Sequence, residues 1–321
     1  MTRNTPGVAV LSPMAGAALS PKNLGAMLLL ALMWGLSIPI TKIGLETIPP
    51  ITLTALRFFV AVPLFLALAT GRLRVPWRAV PGIVGLGVMG IAGGNVTQAF
   101  GVQGTSASAG TIISATIPIF VVVFAAIRLH QPVTARQWIG LLAAFGGIAL
   151  VAAGSGSGVD DMTRTTLAGV AWMLMSAVII AFYFIWSAEL AEKHGALPVA
   201  AWNALAGLVA VLPLAGWELA HASVQITAQA IWAIVYLAVM VTVAGLFLWL
   251  YLLRVVPARI AASVQYLQPV FGIAAAALIF GDRLGMLFGA GVILILGGLA
   301  LVATNRRAVR LADMARDSGQ S

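Results

Sequence analysis

The chain contains no cysteine in its 321 residues. Disulfides, thiolate metal sites and a cysteine nucleophile are thereby excluded. Charge is also scarce. Asp, Glu, Lys and Arg together fill 8% of the positions, where a soluble domain carries about 25%. The carboxylates are Glu46, Asp160, Asp161, Glu189, Glu192, Glu218, Asp282, Asp313 and Asp317, and the histidines are His130, His194 and His221. All fall near the ends of apolar runs, between runs or in the tails. No midplane proton relay or cation site is legible from them. No metal-ligand cluster and no phosphate-cradling loop appears, so neither a metal nor a cofactor is expected.

What remains is overwhelmingly apolar. Hydrophobic residues make up 61% of the chain. A soluble globule of that composition has too few polar groups to cover its surface, so much of the surface must face lipid. A helix needs about 20 apolar residues to cross the hydrocarbon core. Ten segments qualify, at 23–45, 51–70, 80–100, 106–127, 134–153, 167–188, 198–217, 229–253, 258–280 and 284–304. They are apolar on every face and lack the alternation of a membrane barrel. The fold class is therefore all-α integral membrane, with ten transmembrane helices. The gaps are short, which makes sequential helices antiparallel. Residues 1–22, which mix Pro, Ser, Ala and Gly, read as a cytoplasmic tail, and 305–321 as a second, basic one. The first stretch is too broken to be a signal-peptide core.

The net charge of +9 invites a nucleic-acid reading. Its distribution argues against one. With ten spans, the tails, gaps and helix ends on the side of the termini carry 14 of the 18 Lys and Arg residues, and those on the other side carry 4. This segregation is the positive-inside pattern, and it places both termini in the cytoplasm. The basic residues are topology signals, and no nucleic-acid partner is expected. The cell inner membrane is the expected location. Nothing in the sequence fixes an oligomeric state, and a monomer is compatible with it.

Shifted by 151 positions, residues 107–153 align without a gap on 258–304, with 12 of 47 positions identical. Pro118 meets Pro269, Phe120 meets Phe271, and Gly146-Gly147 meets Gly297-Gly298. The chain thus divides into a first repeat at 23–153, a linker at 154–166 and a second repeat at 167–304. Each repeat holds five helices. Five is odd, so the second copy enters the membrane from the opposite side. Inverted repeats of this kind build alternating-access transporters, with the solute site near the midplane between the halves.

Polar residues inside the spans are the candidate site. Asn95 and Gln98 share a face of the third helix, and Gln265 and Gln268 share one of the ninth, with Tyr266 beside them. A buried amide is costly unless partnered, so each pair must face protein or a wet cavity. Helix-to-helix hydrogen bonding is the structural alternative. Trp34, Ser37 and Thr41 recur at helical spacing in the first helix. Trp172, Ser176, Tyr183 and Trp186 do so in the sixth. Trp172, near a span end, belongs to an interfacial aromatic belt. Trp34, Tyr183 and Trp186 lie deeper. Trp249 and Ser114 are further cavity candidates, as are Trp202, Asn203, Tyr236 and Tyr251. Arg57 lies about six residues into its helix. It either snorkels to the outer interface or attracts a solute carboxylate. Pro118 and Pro269 each remove a backbone hydrogen bond in equivalent helices, as suits a gate or a static kink. The steps Gly90 to Gly94 and Gly285 to Gly289 are read as close-packing positions.

The order of short motifs resembles the EamA branch of the drug/metabolite transporter superfamily. The first repeat shows Trp34-Gly35, Leu56-Arg57-Phe58, Thr105-Ser106-Ala107-Ser108-Ala109 and Ile117-Pro118. The second shows Ala258-Arg259-Ile260-Ala261-Ala262-Ser263, Leu267-Gln268-Pro269-Val270 and Phe280-Gly281-Asp282-Arg283-Leu284. The last looks like the family's Gly-Glu-Arg-Leu with Asp for Glu. The resemblance covers about residues 23–304. It implies ten helices with cytoplasmic termini and a central cavity lined by helices 1, 3, 4, 6, 8 and 9, with helices 5 and 10 at the periphery. It also implies export of amino acids, other metabolites or drugs.

The resulting expectation is a secondary transporter, not an enzyme. It exports a small neutral or zwitterionic solute such as an amino acid across the bilayer. A multidrug carrier of the same fold and a non-transporting membrane scaffold are the alternatives.

Overall fold

The computed structural model describes residues 20–69, 73–128, 135–154, 164–256, 264–282 and 284–303. Most of both expected tails and of the linker lie outside the described residues. Helix α1 runs over Pro21–Leu45, so Pro21 and Lys22 belong to it and not to the tail. Ser20 caps it, its side chain accepting from the Asn23 amide at 3.3 Å. The helix breaks at Leu36. Pro39 follows three residues later and cannot donate to the helical ladder. Then come α2 (Pro50–Leu68), α3 (Trp77–Gln103) and α4 (Ala107–Arg128), and α5 (Ala135–Gly154). They are followed by α6 (Leu167–His194), α7 (Ala196–His221) and α8 (Ala228–Val255), and then by α9 (Val264–Phe280) and α10 (Met286–Ala303). There is no strand among the described residues.

Among the described residues seven helices, α1 to α4 and α6 to α8, are long and apolar enough to cross a membrane. Shorter apolar stretches, Ala135–Val151, Leu267–Phe280 and Met286–Leu301, occupy α5, α9 and α10. The outward surface is apolar in the same helices. Leu278 is 86% exposed and Met286 94%, with Leu142, Phe59 and Ile293 also open. Such a surface is stable only against lipid.

Two helices depart from α geometry at matching places. In α3, Gly87–Gly93 winds as a π-helix, and in α8, Tyr236–Ala244 does the same. A shift of 151 carries Gly87–Gly93 onto 238–244, within the second π segment. Helix neighbours repeat in the same way. α1 packs on α9 as α4 packs on α6, α3 on α6 as α8 on α1, and α3 on α7 as α8 on α2. The pairs α2–α7, α4–α9 and α5–α10 each map onto themselves.

Glycine makes the closest of these contacts. A Cβ on Gly147 would lie 2.6 Å from the Gly291 carbonyl oxygen, and one on Gly291 would lie 2.6 Å from that of Gly147. α5 and α10 pack principally on each other. Gly94 packs against Ile180, and Gly90 sits under the Tyr183 ring. The other expected glycine step is corrected. Gly285 and Gly289 face open space, with nothing within 4 Å of a built Cβ. They precede or begin α10 on its outer side, where no helix crosses.

Side-chain bonds sort the helix ends onto two faces. On one, Lys22 Nζ lies 5.8 Å over the Tyr251 ring, bringing the start of α1 to the end of α8. The Trp202 indole donates to the Leu73 carbonyl at 2.9 Å, and Arg128 pairs with Glu189 at 2.8 Å. We call this the Arg128 face. On the opposite, Lys42 face, the end of α1 meets the end of α3, and the Glu218 carboxylate of α7 caps the start of α2.

Candidate functional site

Arg57 enters α2 seven residues past Pro50, roughly 10 Å along its axis. Its guanidinium does not turn back to the nearby helix end. Nε donates to Thr242 Oγ1 of α8 at 2.9 Å, and Nη1 donates to Asn95 Oδ1 of α3 at 3.1 Å. This corrects the snorkelling alternative. The partners are themselves held. The Asn95 amide nitrogen donates to the Ile91 carbonyl at 2.9 Å, which turns its oxygen toward Arg57. The Thr242 hydroxyl donates to the Leu237 carbonyl, five residues back, at 2.8 Å. That five-residue reach follows the π winding, so the π segment of α8 sets the hydroxyl for Arg57.

Both partners of Arg57 are neutral acceptors. Among the described residues no carboxylate lies within ion-pair distance of it. A charged group inside a bundle is costly without a counter-ion. With Nε and Nη1 engaged, Nη2 is the nitrogen left to face an anion. The cleft in front is narrow, about 10 Å3, and is lined by Thr41, Leu53, Thr54, Asn95, Gln98, Ala99 and Leu237 beside Arg57, so a solute enters it only if these side chains move apart. The structure therefore brings Arg57, Asn95 and Gln98 together.

Other candidates fall elsewhere. The Trp34 indole donates to the Val241 carbonyl at 3.1 Å and lies 5.9 Å from the Trp249 ring. These two tryptophans bind α1 to the π segment and the following turns of α8. Ser37 donates to the Trp34 carbonyl at 2.6 Å, and Thr41 to that of Ser37 at 2.7 Å, so both hydroxyl protons stay within α1. Tyr183 accepts from the Asn203 amide at 3.3 Å, while Asn203 also donates to Ser187 at 3.1 Å. Trp186 stacks on Phe182 at 3.8 Å, with Phe124 of α4 edge-on at 5.9 Å. Tyr183 and Trp186 thus serve helix contacts on the Arg128 side of the cleft. Ser176 donates to the Gly94 carbonyl at 2.8 Å and is buried. Ser114 and Gln268 are half-buried. The side chains of Gln265 and Tyr266 lie outside the described ones.

The prolines differ. α4 is interrupted at Ala115–Thr116. Pro118 sits in the first turn of the segment Ile117–Arg128, where a missing N–H costs little. So α4 is broken rather than bent there. Pro269 lies inside an unbroken α9.

Three charged residues that the sequence left as helix-end charges have structural partners. Lys42, 2% exposed, donates to the carbonyls of Val102 and Gln103 at 3.0 and 3.4 Å and to that of Thr105. It caps the carboxyl end of α3. Asp282 accepts from the Ser108 amide at 2.8 Å, at the start of α4. Glu218 accepts from the amides of Ile51 and Thr52 at 3.3 and 2.7 Å and from the Thr52 hydroxyl at 2.7 Å. Uncapped helix ends attract opposite charge. Only tertiary structure says which end each charge meets. These contacts tie the helix ends together on the Lys42 face. The Arg128 face holds a cavity of about 590 Å3, with His194 to Pro198 on one wall and Phe247, Leu250, Tyr251 and Arg254 on the other.

Comparison with known proteins matches the EamA-like transporter family twice, over residues 22–153 and 167–304. The chain belongs to that family. A relative from Archaeoglobus fulgidus named "Uncharacterized transporter" is 25% identical over 172 residues, 54% of this chain and 59% of its own length. The "Uncharacterized inner membrane transporter YedA" of Escherichia coli is 26% identical over 194 residues, 58% and 59% of the two chains. A "Probable terminal-alkyne amino-acid exporter" of Streptantibioticus cattleyicolor is 28% identical over 192 residues, 59% and 62%. The alignments thus span about three fifths of the length of these relatives. A solved crystal structure, 20% identical, superposes with a TM-score of 0.61 over 92% of this chain and 98% of the other. That likeness concerns the fold.

Proposed function

We propose that this EamA protein is a secondary exporter of small carboxylate-bearing zwitterions, amino acids among them. It spans the inner membrane with ten helices in two inverted five-helix copies. The Arg128 face is cytoplasmic, as the segregation of Lys and Arg suggests. The inverted arrangement draws on the helix ends: α1 finishes on the Lys42 face, where α6 begins next to the end of α3. Alternating access fits a bundle whose two copies are differently engaged, tied together at the Lys42 face and hollow at the other.

The observation that carries the solute class is Arg57. It sits inside the bundle on neutral partners, with no carboxylate at ion-pair distance among the described residues. A solute carboxylate on its Nη2 supplies the missing anion, and the amides of Asn95 and Gln98 suit the polar remainder. The named function of the Streptantibioticus relative agrees with this class.

The test is flux in liposomes holding the purified protein. Labelled amino acids are compared with the amines that lack only the carboxylate. Amino-acid flux should be at least about tenfold faster, the worth of one hydrogen bond to a charged group. Arg57→Gln should abolish the difference. Equal flux of acids and amines through the parent protein would refute the solute class.

A further inference from the structure

The two faces of the bundle carry a matched set of groups. Lys42-Ile43-Gly44 at the end of α1 becomes Lys193-His194-Gly195 at the end of α6 when shifted by 151. The same shift carries Val102, Gln103 and Thr105, whose carbonyls hold Lys42, onto Leu253, Arg254 and Val256 at the end of α8. One half of this arrangement is made and the other is not. Lys42 is buried and capped onto α3. Lys193 is exposed, and the cavity of about 590 Å3 separates its end of α6 from the end of α8. α8 ends at Val255 with Val256 extended, and the carboxyl end of a helix attracts a cation.

We infer that Lys193 is the latch of the Arg128 face. When that face closes, its ammonium docks on the carbonyls of Leu253, Arg254 and Val256, as Lys42 now docks on those of Val102, Gln103 and Thr105. Opening of the Lys42 face withdraws Lys42 from α3 in the same movement. Each half of the protein thus holds one lysine engaged only in the state where its own face is shut. The inference rests on the alternating-access reading above.

The native chain has no cysteine, so spin labels can be placed freely. One pair goes at Glu192→Cys and Leu253→Cys, another at Glu46→Cys and Gln103→Cys, all four sites exposed. Distances are measured by pulsed spin resonance in liposomes with a solute gradient in either direction. The parent should show a short and a long distance at each pair, anticorrelated. Lys193→Met should cut the short population of the first pair about tenfold, the scale of one charged hydrogen bond, and leave the second pair short. Lys193→Arg should restore part of it. Lys42→Met should do the converse at the second pair. Lys193 is exposed and its replacement does not disturb this fold, so that arm stands even if the Lys42 variant is unstable. Alternation with an undiminished short population in Lys193→Met overturns the latch and leaves alternating access standing. A single distance at both pairs under both gradients overturns alternating access and the latch with it.

Discussion

Gly147 of α5 and Gly291 of α10 meet backbone to backbone, each leaving only 2.6 Å between a built Cβ and the other's carbonyl oxygen. Gly298 stands over Gly140 in the same way, and a shift of 151 converts one contact into the other. Gly146, one residue away, faces open space. Gly147→Val should therefore cost about 1–3 kcal/mol by overpacking. The readout is a fall of several degrees in the melting temperature of the detergent-solubilised protein. Gly146→Ala should leave the melting temperature unchanged. Equal behaviour of the two variants would contradict the contact.

Asn95 and Thr242 are the two acceptors that aim Arg57. Asn95→Leu and Thr242→Val each leave the guanidinium one bond short. Each should raise the half-saturating concentration of a carboxylate solute about tenfold, the worth of one hydrogen bond to a charged group. Transport titrations over a range of concentrations measure it. Folded stability, followed in parallel, should fall by about 1–3 kcal/mol in the Thr242 variant, because a donor of the guanidinium is left unpaired.

Glu218 ties the end of α7 to the first turn of α2 through three hydrogen bonds. Glu218→Gln keeps the volume and one acceptor. Glu218→Ala removes the cap. The alanine variant should lose about 1–2 kcal/mol, as N-cap removal does, and the glutamine variant less. Thermal unfolding of both, ranked against the parent, checks the order.

No carboxylate or histidine among the described residues lies at mid-span, where a proton relay would need one. Export should therefore persist when a protonophore collapses the pH gradient while the membrane potential is clamped. Flux that vanishes under those conditions would require a proton site on the solute path.

The apolar runs made most of the helices legible, because lipid demands about 20 such residues per crossing. Asn95 and Gln98 were legible as one face by their spacing, and they do share a cleft. The direction of Arg57 was not legible. It depends on Thr242, 185 residues away, and on a π winding that composition does not announce. Lys42, Glu218 and Asp282 looked like ordinary helix-end charges for the same reason. Apart from the Thr52 hydroxyl, the partners named for them are backbone groups of other helices or of the residues that flank them, and a backbone group leaves no trace in the alphabet of side chains. Pro118 was legible as a disruption, but whether it bends or breaks its helix depended on Thr116. That residue turns the chain by bonding the Ile113 carbonyl through both its amide and its hydroxyl.

The π segments of α3 and α8 have a mechanical meaning. Each holds one residue more than an α-helix of the same course needs. Reverting such a bulge to α winding turns everything beyond it by about 100°, one residue's share of a helical turn. In α3 the residue beyond the bulge is Asn95, and in α8 the bulge itself holds Thr242. The two ligands of Arg57 are thus mounted on a pair of screws, each with a single notch of travel in reserve.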